Sequence, residues 1–267
     1  MGVWVGRLGG FAAVAALVFV SLGLVACSGG GAAAPSVTPS AAVIMAPSPS
    51  ATPSATSPPS STPSATPPPN REGTPQGNGT FVVACGDVLA PVDKQHRLSA
   101  DCEPPDLVAL PGEMSSGGTQ RMRQAAAAAY GELFAAAQGD GFTIFAASAY
   151  RSYATQVQVY AGHVANQGQA GADRVSARPG HSEHQMGTTT DVTSASAGFG
   201  LGGFEGTPEA AWLAENSWRF GFIISYPEGK EAVTGYVYEP WHIRWVGVEE
   251  AKRVRESGLT LHEWLLR

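Results

Sequence analysis

Residues 177–191 read Ala177-Arg178-Pro179-Gly180-His181-Ser182-Glu183-His184-Gln185-Met186-Gly187-Thr188-Thr189-Thr190-Asp191, which puts His184 seven positions before Asp191. A second short word, Glu239-Pro240-Trp241-His242-Ile243-Arg244, puts His242 three positions after Glu239. Together they offer two imidazoles, one carboxylate of ligand type and a second carboxylate beside the last imidazole. Three protein ligands of mixed nitrogen and oxygen type, with a fourth position left for water, is the catalytic zinc arrangement, and a nearby carboxylate is the usual base for that water. His181, three before His184, is an alternative ligand. Glu183 is a candidate second base, though a carboxylate beside a ligand more often orients loop backbone or a ligand imidazole. Ser182 is a candidate hydrogen-bond partner for substrate.

Around these words the pattern alternates between strand-like and helix-like stretches. Phe81–Ala84 and Phe142–Ala147 read as strands, and Thr119–Gln138, rich in alanine and stopped by Gly139 and Gly141, as a helix. A further helix is capped by Ser152, with Val157, Tyr160, Ala161 and Val164 on one face and Gly168 beyond its end. Thr207-Pro208 opens another, closed near Gly221. Short strands at Phe222–Tyr226 and Val233–Tyr238 and helices at Val248–Ser257 and Leu261–Leu266 complete the chain. Strands spaced irregularly among helices, with no repeated βαβ unit and no glycine-rich phosphate loop, predict an α+β fold: a small antiparallel sheet with flanking helices. In a regular strand Glu239 and His242 would face opposite ways. Pro240, unable to donate to a ladder, marks an irregularity that turns both toward one point.

Ser148-Ala149-Tyr150-Arg151-Ser152, the 177–191 word, Gly221-Phe222, Tyr226-Pro227, Thr234-Gly235-Tyr236 and the 239–244 word, in that order, resemble the VanY-like D-alanyl-D-alanine carboxypeptidases of the LAS metallopeptidase superfamily. The resemblance covers roughly residues 81 to 266. It implies that His184, Asp191 and His242 bind Zn2+, that Glu239 is the catalytic base and that Arg151 holds the substrate, with Gln156 helping to bind the peptide terminus. An arginine fork suits this role because it pairs with a carboxylate through two parallel bonds. The chain departs from the family at Ala149, at His181 and at the three threonines before Asp191, which are expected to alter the pocket wall. The implied activity is removal of terminal D-Ala from peptidoglycan stem peptides. An L,D-carboxypeptidase or a peptidoglycan endopeptidase keeps the same zinc site, and a non-catalytic wall-binding lipoprotein is the reading outside enzymes.

The N-terminal quarter is of another composition. Arg7 is followed by the apolar stretch Leu8–Ala26 and then by Cys27, and Leu24-Val25-Ala26-Cys27 resembles the bacterial lipobox, in which cleavage precedes an acylated cysteine. An uncleaved membrane anchor and plain secretion are the alternatives. Residues 1–26 are thus read as a signal peptide and 27–79 as an Ala/Ser/Thr/Pro-rich spacer that cannot bury enough surface to fold. Its fifty or so residues, at about 3.1 Å each in polyproline geometry, reach on the order of 100 Å. The catalytic domain is placed at 80–267, outside the cytoplasm and facing the cell wall, with a monomer expected. No Asp, Glu, Lys or Arg occurs between Arg7 and Arg71, and residues 73–267 carry 14 basic against 21 acidic groups, which argues against nucleic acid as partner. Cys85 and Cys102, with sixteen residues between them and no CxxC in the chain, read as a disulfide in an oxidising compartment.

Overall fold

A computed structural model of the chain describes residues 71–267. The signal peptide at 1–26, the lipidation site Cys27 and all but the end of the 27–79 spacer lie outside the described residues. The spacer boundary shifts: β1 (Thr74–Pro75) already pairs antiparallel with β2 (Phe81–Val82), which pairs parallel with β3 (His96–Arg97). Backbone ladder bonds ignore composition, so a proline in a two-residue edge strand sits where a spacer was expected.

Next come β4 (Leu107–Ala109) and β5 (Arg121–Arg123), an antiparallel pair, and α1 (Gln124–Gly139). Pairing with β4 takes Arg121–Arg123 out of the helix that alanine content extends back to Thr119. Then follow β6 (Phe145–Ser148), α2 (Tyr153–Val175), β7 (Thr189–Thr193), α3 (Pro208–Asn216), β8 (Phe222–Ile224), α4 (Glu231–Thr234), β9 (His242–Trp245), α5 (Val248–Ser257) and α6 (Leu261–Leu265). The central sheet is antiparallel in the order β6-β7-β9-β8.

Period-two alternation gives this sheet two unlike faces. Ala146, Val192, Phe222 and Ile243 face α1, whose Ala126, Tyr130, Leu133 and Ala137 recur at helical spacing and are fully buried against them. Tyr130 enters this core by donating its hydroxyl to the Ile144 carbonyl at 2.9 Å. The opposite face carries Asp191, His242 and Arg244. Apolar packing on one side therefore fixes the register that lines up charged groups on the other; a one-residue slip would bury them in the core.

Three sequence expectations change. Val233–Tyr238 is no strand: it begins in α4, ends at Gly235 in the left-handed region and runs on as loop, with the Thr234 hydroxyl bonded to the Tyr236 backbone. The helix after Ser152 continues to Val175 across a break at Gly168 (φ 73°). Its buried residues are Gln156 and Ala172, whereas Val157 and Ala161 are exposed. β7 and β9 were not foreseen as strands. Among the described residues no helix is long and apolar enough to cross a membrane.

Candidate metal centre and active site

Asp191 and His242 are direct cross-strand partners on β7 and β9, so their side chains stand side by side on the polar face. His242 Nδ1 lies 3.1 Å from Asp191 Oδ1. His184 arrives from a short 3-10 turn, Glu183–Met186, closed by Gly187 in the left-handed region at φ 70°. The left-handed φ favours glycine there, and a Cβ on Gly187 would also press on the Leu107 and Arg123 side chains at 2.7 and 3.1 Å. His184 Nε2 reaches Asp191 Oδ2 at 3.2 Å, and its ring meets that of His242 edge-on with centroids 5.0 Å apart.

Each imidazole is fixed from behind. His184 donates from Nδ1 to the Ala149 carbonyl at 2.8 Å, which leaves Nε2 as a lone-pair donor toward the cluster. His242 uses the opposite atom. Its Nε2 bonds Glu183 Oε2 at 2.9 Å, leaving Nδ1 toward Asp191. Glu183 is in turn held by the Ser225 hydroxyl at 2.7 Å and by Arg244 Nη1 at 2.8 Å, while Arg244, wholly buried, donates from Nη2 to the carbonyls of Val88 and Ala90. Glu183 is therefore the group that orients the His242 ring.

The electrostatics follow from burial among few partners. Burial alone would raise the Asp191 carboxyl, but the two histidines hold it well below the usual carboxylate range. Burial alone would lower His242, yet hydrogen bonds to Asp191 and Glu183 push it up to about 10. Burial lowers His184, with Arg151 adding to the effect. The carboxylates that favour a proton on His242 favour a metal cation beside it for the same reason.

One donor atom from each of His184, Asp191 and His242 lies within 4.8 Å of the others, and all three residues are buried. A tetrahedral zinc with nitrogen and oxygen ligands at about 2.0–2.2 Å spaces its donors roughly 3.3–3.6 Å apart; here one Asp191 oxygen lies 3.1 Å from His242 Nδ1 and the other 3.2 Å from His184 Nε2. The donor set, its spacing and the back-side hydrogen bonds all fit zinc. His181 is turned away: its Nδ1 donates to the Asp93 carbonyl at 2.7 Å, and the ring serves to fasten the 90s segment to the metal loop.

Glu239 reaches the cluster through a turn. Its backbone carbonyl accepts from the His242 N–H at 3.1 Å with Pro240 at the second position, a β-turn that brings Glu239 Oε2 to 3.7 Å from His242 Nδ1. The irregularity expected at Pro240 is this turn. Glu239 is 8% exposed, and burial raises its carboxyl to about 7, a value suited to accepting and returning a proton at neutral pH.

Arg151 stands at the end of β6, just before α2. Its Nη1 donates to Gln156 Oε1 at 2.9 Å and its Nη2 to the Ser148 hydroxyl at 3.1 Å, with Asp191 Oδ2 at 3.6 Å. Gln156, which the resemblance sets at the peptide terminus, is absent from the cavity lining. It is 1% exposed, and its amide nitrogen is spent on the Ala177 carbonyl at 2.6 Å, so it positions Arg151 instead. Ser182 lines the cavity together with Arg151, Glu239, His184, Asp191 and His242. The cavity measures about 730 Å³. Tyr226 and Tyr236 form one wall, with the Tyr226 ring tilted 38° against His242 at a centroid distance of 4.6 Å. Thr188, Thr189 and Thr190 are fully buried in and before β7 and do not line the pocket, contrary to expectation.

The metal loop is braced by the N-terminal part. Cys85 and Cys102 are joined in a disulfide, and the Gln185 amide donates to the carbonyls of Ser99 and Cys102 at 2.8 and 3.1 Å. Val83, Ala90, Val92, Leu98 and Cys102 form a small core with Met186. Sequence reading gave these residues a fold but no part in the site; the buried glutamine beside the ligand, Gln185, was the available signal.

Residues 119–248 match the family of VanY D-alanyl-D-alanine carboxypeptidases. The Bacillus subtilis protein YodJ is 40% identical over 182 residues, which make up 67% of each chain. Among solved structures, the LdcB LD-carboxypeptidase superposes with a TM-score of 0.66 at 38% identity, covering 71% of this chain and 91% of that one. A vancomycin resistance D,D-pentapeptidase VanY, in complex with Zn(II), superposes with a TM-score of 0.57 at 32% identity, covering 67% of this chain and 98% of that one. With its α+β fold, its metal-sized cluster of two histidines and an aspartate, and relatives of this extent, the chain belongs to the VanY family of D-alanyl-D-alanine carboxypeptidases and is a zinc metallopeptidase.

Proposed function

We propose that the protein is a D,D-carboxypeptidase that releases the terminal D-alanine from peptidoglycan stem peptides, lipid-anchored at Cys27 on the outer face of a bacterial cell membrane and facing the wall. The observation that carries this reading is the position of Arg151: a guanidinium in the cavity wall, steadied by Gln156 and Ser148 beside the Asp191 carboxylate. A fork so placed suits the carboxylate of a free peptide end, which selects exopeptidase over internal cleavage.

His184, Asp191 and His242 would hold zinc, which supplies a Lewis acid that polarises the scissile carbonyl and makes water a nucleophile at neutral pH. Glu239 takes the proton from the attacking water and returns it to the leaving amine, a role its position and raised pKa fit. Glu183 keeps His242 in the tautomer that presents Nδ1. Arg151 fixes the substrate end, so that its scissile bond is held near Glu239 and the ligands.

A second reading, L,D-carboxypeptidase, is favoured by the extent of similarity to LdcB. Zinc-loaded protein incubated with a pentapeptide ending in D-Ala-D-Ala, a tetrapeptide ending in L-Lys-D-Ala and the amidated form of each separates the readings by mass spectrometry. Loss of one D-Ala from the free pentapeptide alone supports the proposal. Trimming of the tetrapeptide alone gives the L,D reading, and equal cleavage of amidated and free ends overturns both.

A further inference from the structure

The cavity is far larger than a single leaving alanine needs, falling in the size range that holds drug-sized ligands. Its long wall is α2, where Thr155, Val159 and His163 recur every fourth residue on one helix face and line the space. From Thr155 to His163 the helix rises about 12 Å, a length that three to four residues of extended peptide cover. Arg151 lies at the other end, twelve positions before His163. One amino acid spans only about 3.3 Å, so a group that far from the carboxylate clamp faces the part of the substrate on the N-terminal side of the scissile bond.

We infer that the α2 wall is the subsite for the upstream residues of a long, free-ended peptide, and that His163 is its polar contact, donating from Nε2 to a carbonyl or carboxylate oxygen of that peptide. The inference rests on the carboxypeptidase reading above. Three observations carry it. Gln167, one turn on, donates its amide to His163 Nδ1 at 3.2 Å, which fixes the tautomer with hydrogen on Nε2. Among the described residues, His163 is the only ionisable group in the lining apart from Arg151, Glu183, Glu239, His184, Asp191, His242 and three tyrosines. The apolar residues of the same lining, Val159, Val175 and Val237, offer no side-chain polar group to compete with the half-buried imidazole. The same lining includes the Tyr236 hydroxyl, buried and without a hydrogen-bond partner among the described residues.

The test compares full-length, zinc-loaded wild type with His163→Ala and His163→Gln on two free-ended substrates: an N-acetylated tripeptide, Lys-D-Ala-D-Ala, and the pentapeptide L-Ala-γ-D-Glu-L-Lys-D-Ala-D-Ala. His163→Ala should raise KM for the pentapeptide roughly three- to ten-fold, the worth of one hydrogen bond, with kcat unchanged and the tripeptide constants unaltered. His163→Gln, which retains a donor, should restore most of the loss. Unchanged pentapeptide KM in His163→Ala, or an equal change on both peptides, overturns the subsite while leaving the activity in place. A wild type that cleaves neither peptide overturns the activity reading and the subsite with it.

Discussion

Replacing Glu239 by Gln should make the metal-free protein more stable while disabling it. Glu239 is nine-tenths buried, and burial lifts its carboxyl from 4.5 to about 7. The sign is opposite to that of a salt-bridged acid: the folded state resists ionising a group that the unfolded chain ionises freely, so the cost is absent below about pH 4.5, grows between there and 7, and is complete above 7. At about 1.4 kcal/mol per pH unit the ionised carboxylate costs the fold about 3 kcal/mol. Chelator-treated wild type and Glu239→Gln, unfolded in urea at pH 4 and pH 8, should differ little in acid. At pH 8 the variant should be more stable by about 3 kcal/mol, or roughly 6–12 °C in Tm. Zinc should shrink the gain, because a cation near the cluster attracts the carboxylate that Gln lacks. The variant should also lose at least about a hundred-fold in rate for want of a general base. No stabilisation at pH 8, or the same stabilisation at both pH values, would refute the argument that this carboxyl is held ionisable at a cost to the fold.

Arg151→Lys loses the two-pronged geometry and should lower kcat/KM for a free-ended peptide roughly ten- to a hundred-fold, the worth of a charge-assisted hydrogen bond, with little effect on the slow cleavage of the amidated peptide. Cys85→Ser with Cys102→Ser opens a loop of sixteen intervening residues and should cost about 3 kcal/mol in urea unfolding. Burial opposes ionisation of Asp93, but hydrogen bonds from His262, His96 and two backbone amides hold its carboxyl well below the ordinary 3.8. Its contribution is therefore full above about pH 3.8 and lost as the pH falls below it. Asp93→Asn should be less stable than wild type at pH 6, with the difference closing in acid unfolding curves.

Much of the site was legible because its chemistry is local. His184 and Asp191 lie in one word, and Glu239 and His242 in another whose proline announces the turn that joins them. What the sequence hid was long-range. β7 is Thr-rich and buried on both faces, and β9 mixes His, Ile, Arg and Trp, so neither shows the clean alternation of a half-exposed strand. The threonines before Asp191, placed in the pocket wall because they depart from the family pattern, are instead buried in and before the sheet. The part given to Gln156 came from the family resemblance, and only the fold shows its amide spent on Ala177 and Arg151. Arg244 gave no local hint of its part either, since its partners Val88, Ala90 and Glu183 are distant in sequence.

The central claim is that His184, Asp191 and His242 are the zinc ligands, and the most direct test is the metal content of His242→Ala beside wild type. Both proteins would be loaded with zinc, dialysed at pH 7 and analysed by mass spectrometry of the metal. Wild type should retain about one zinc per chain, the stoichiometry of a single closed cluster of three ligands. His242→Ala, left with two ligands, should retain close to none while keeping its circular dichroism. Stoichiometric zinc in the folded variant would contradict the assignment and move the metal elsewhere in the chain.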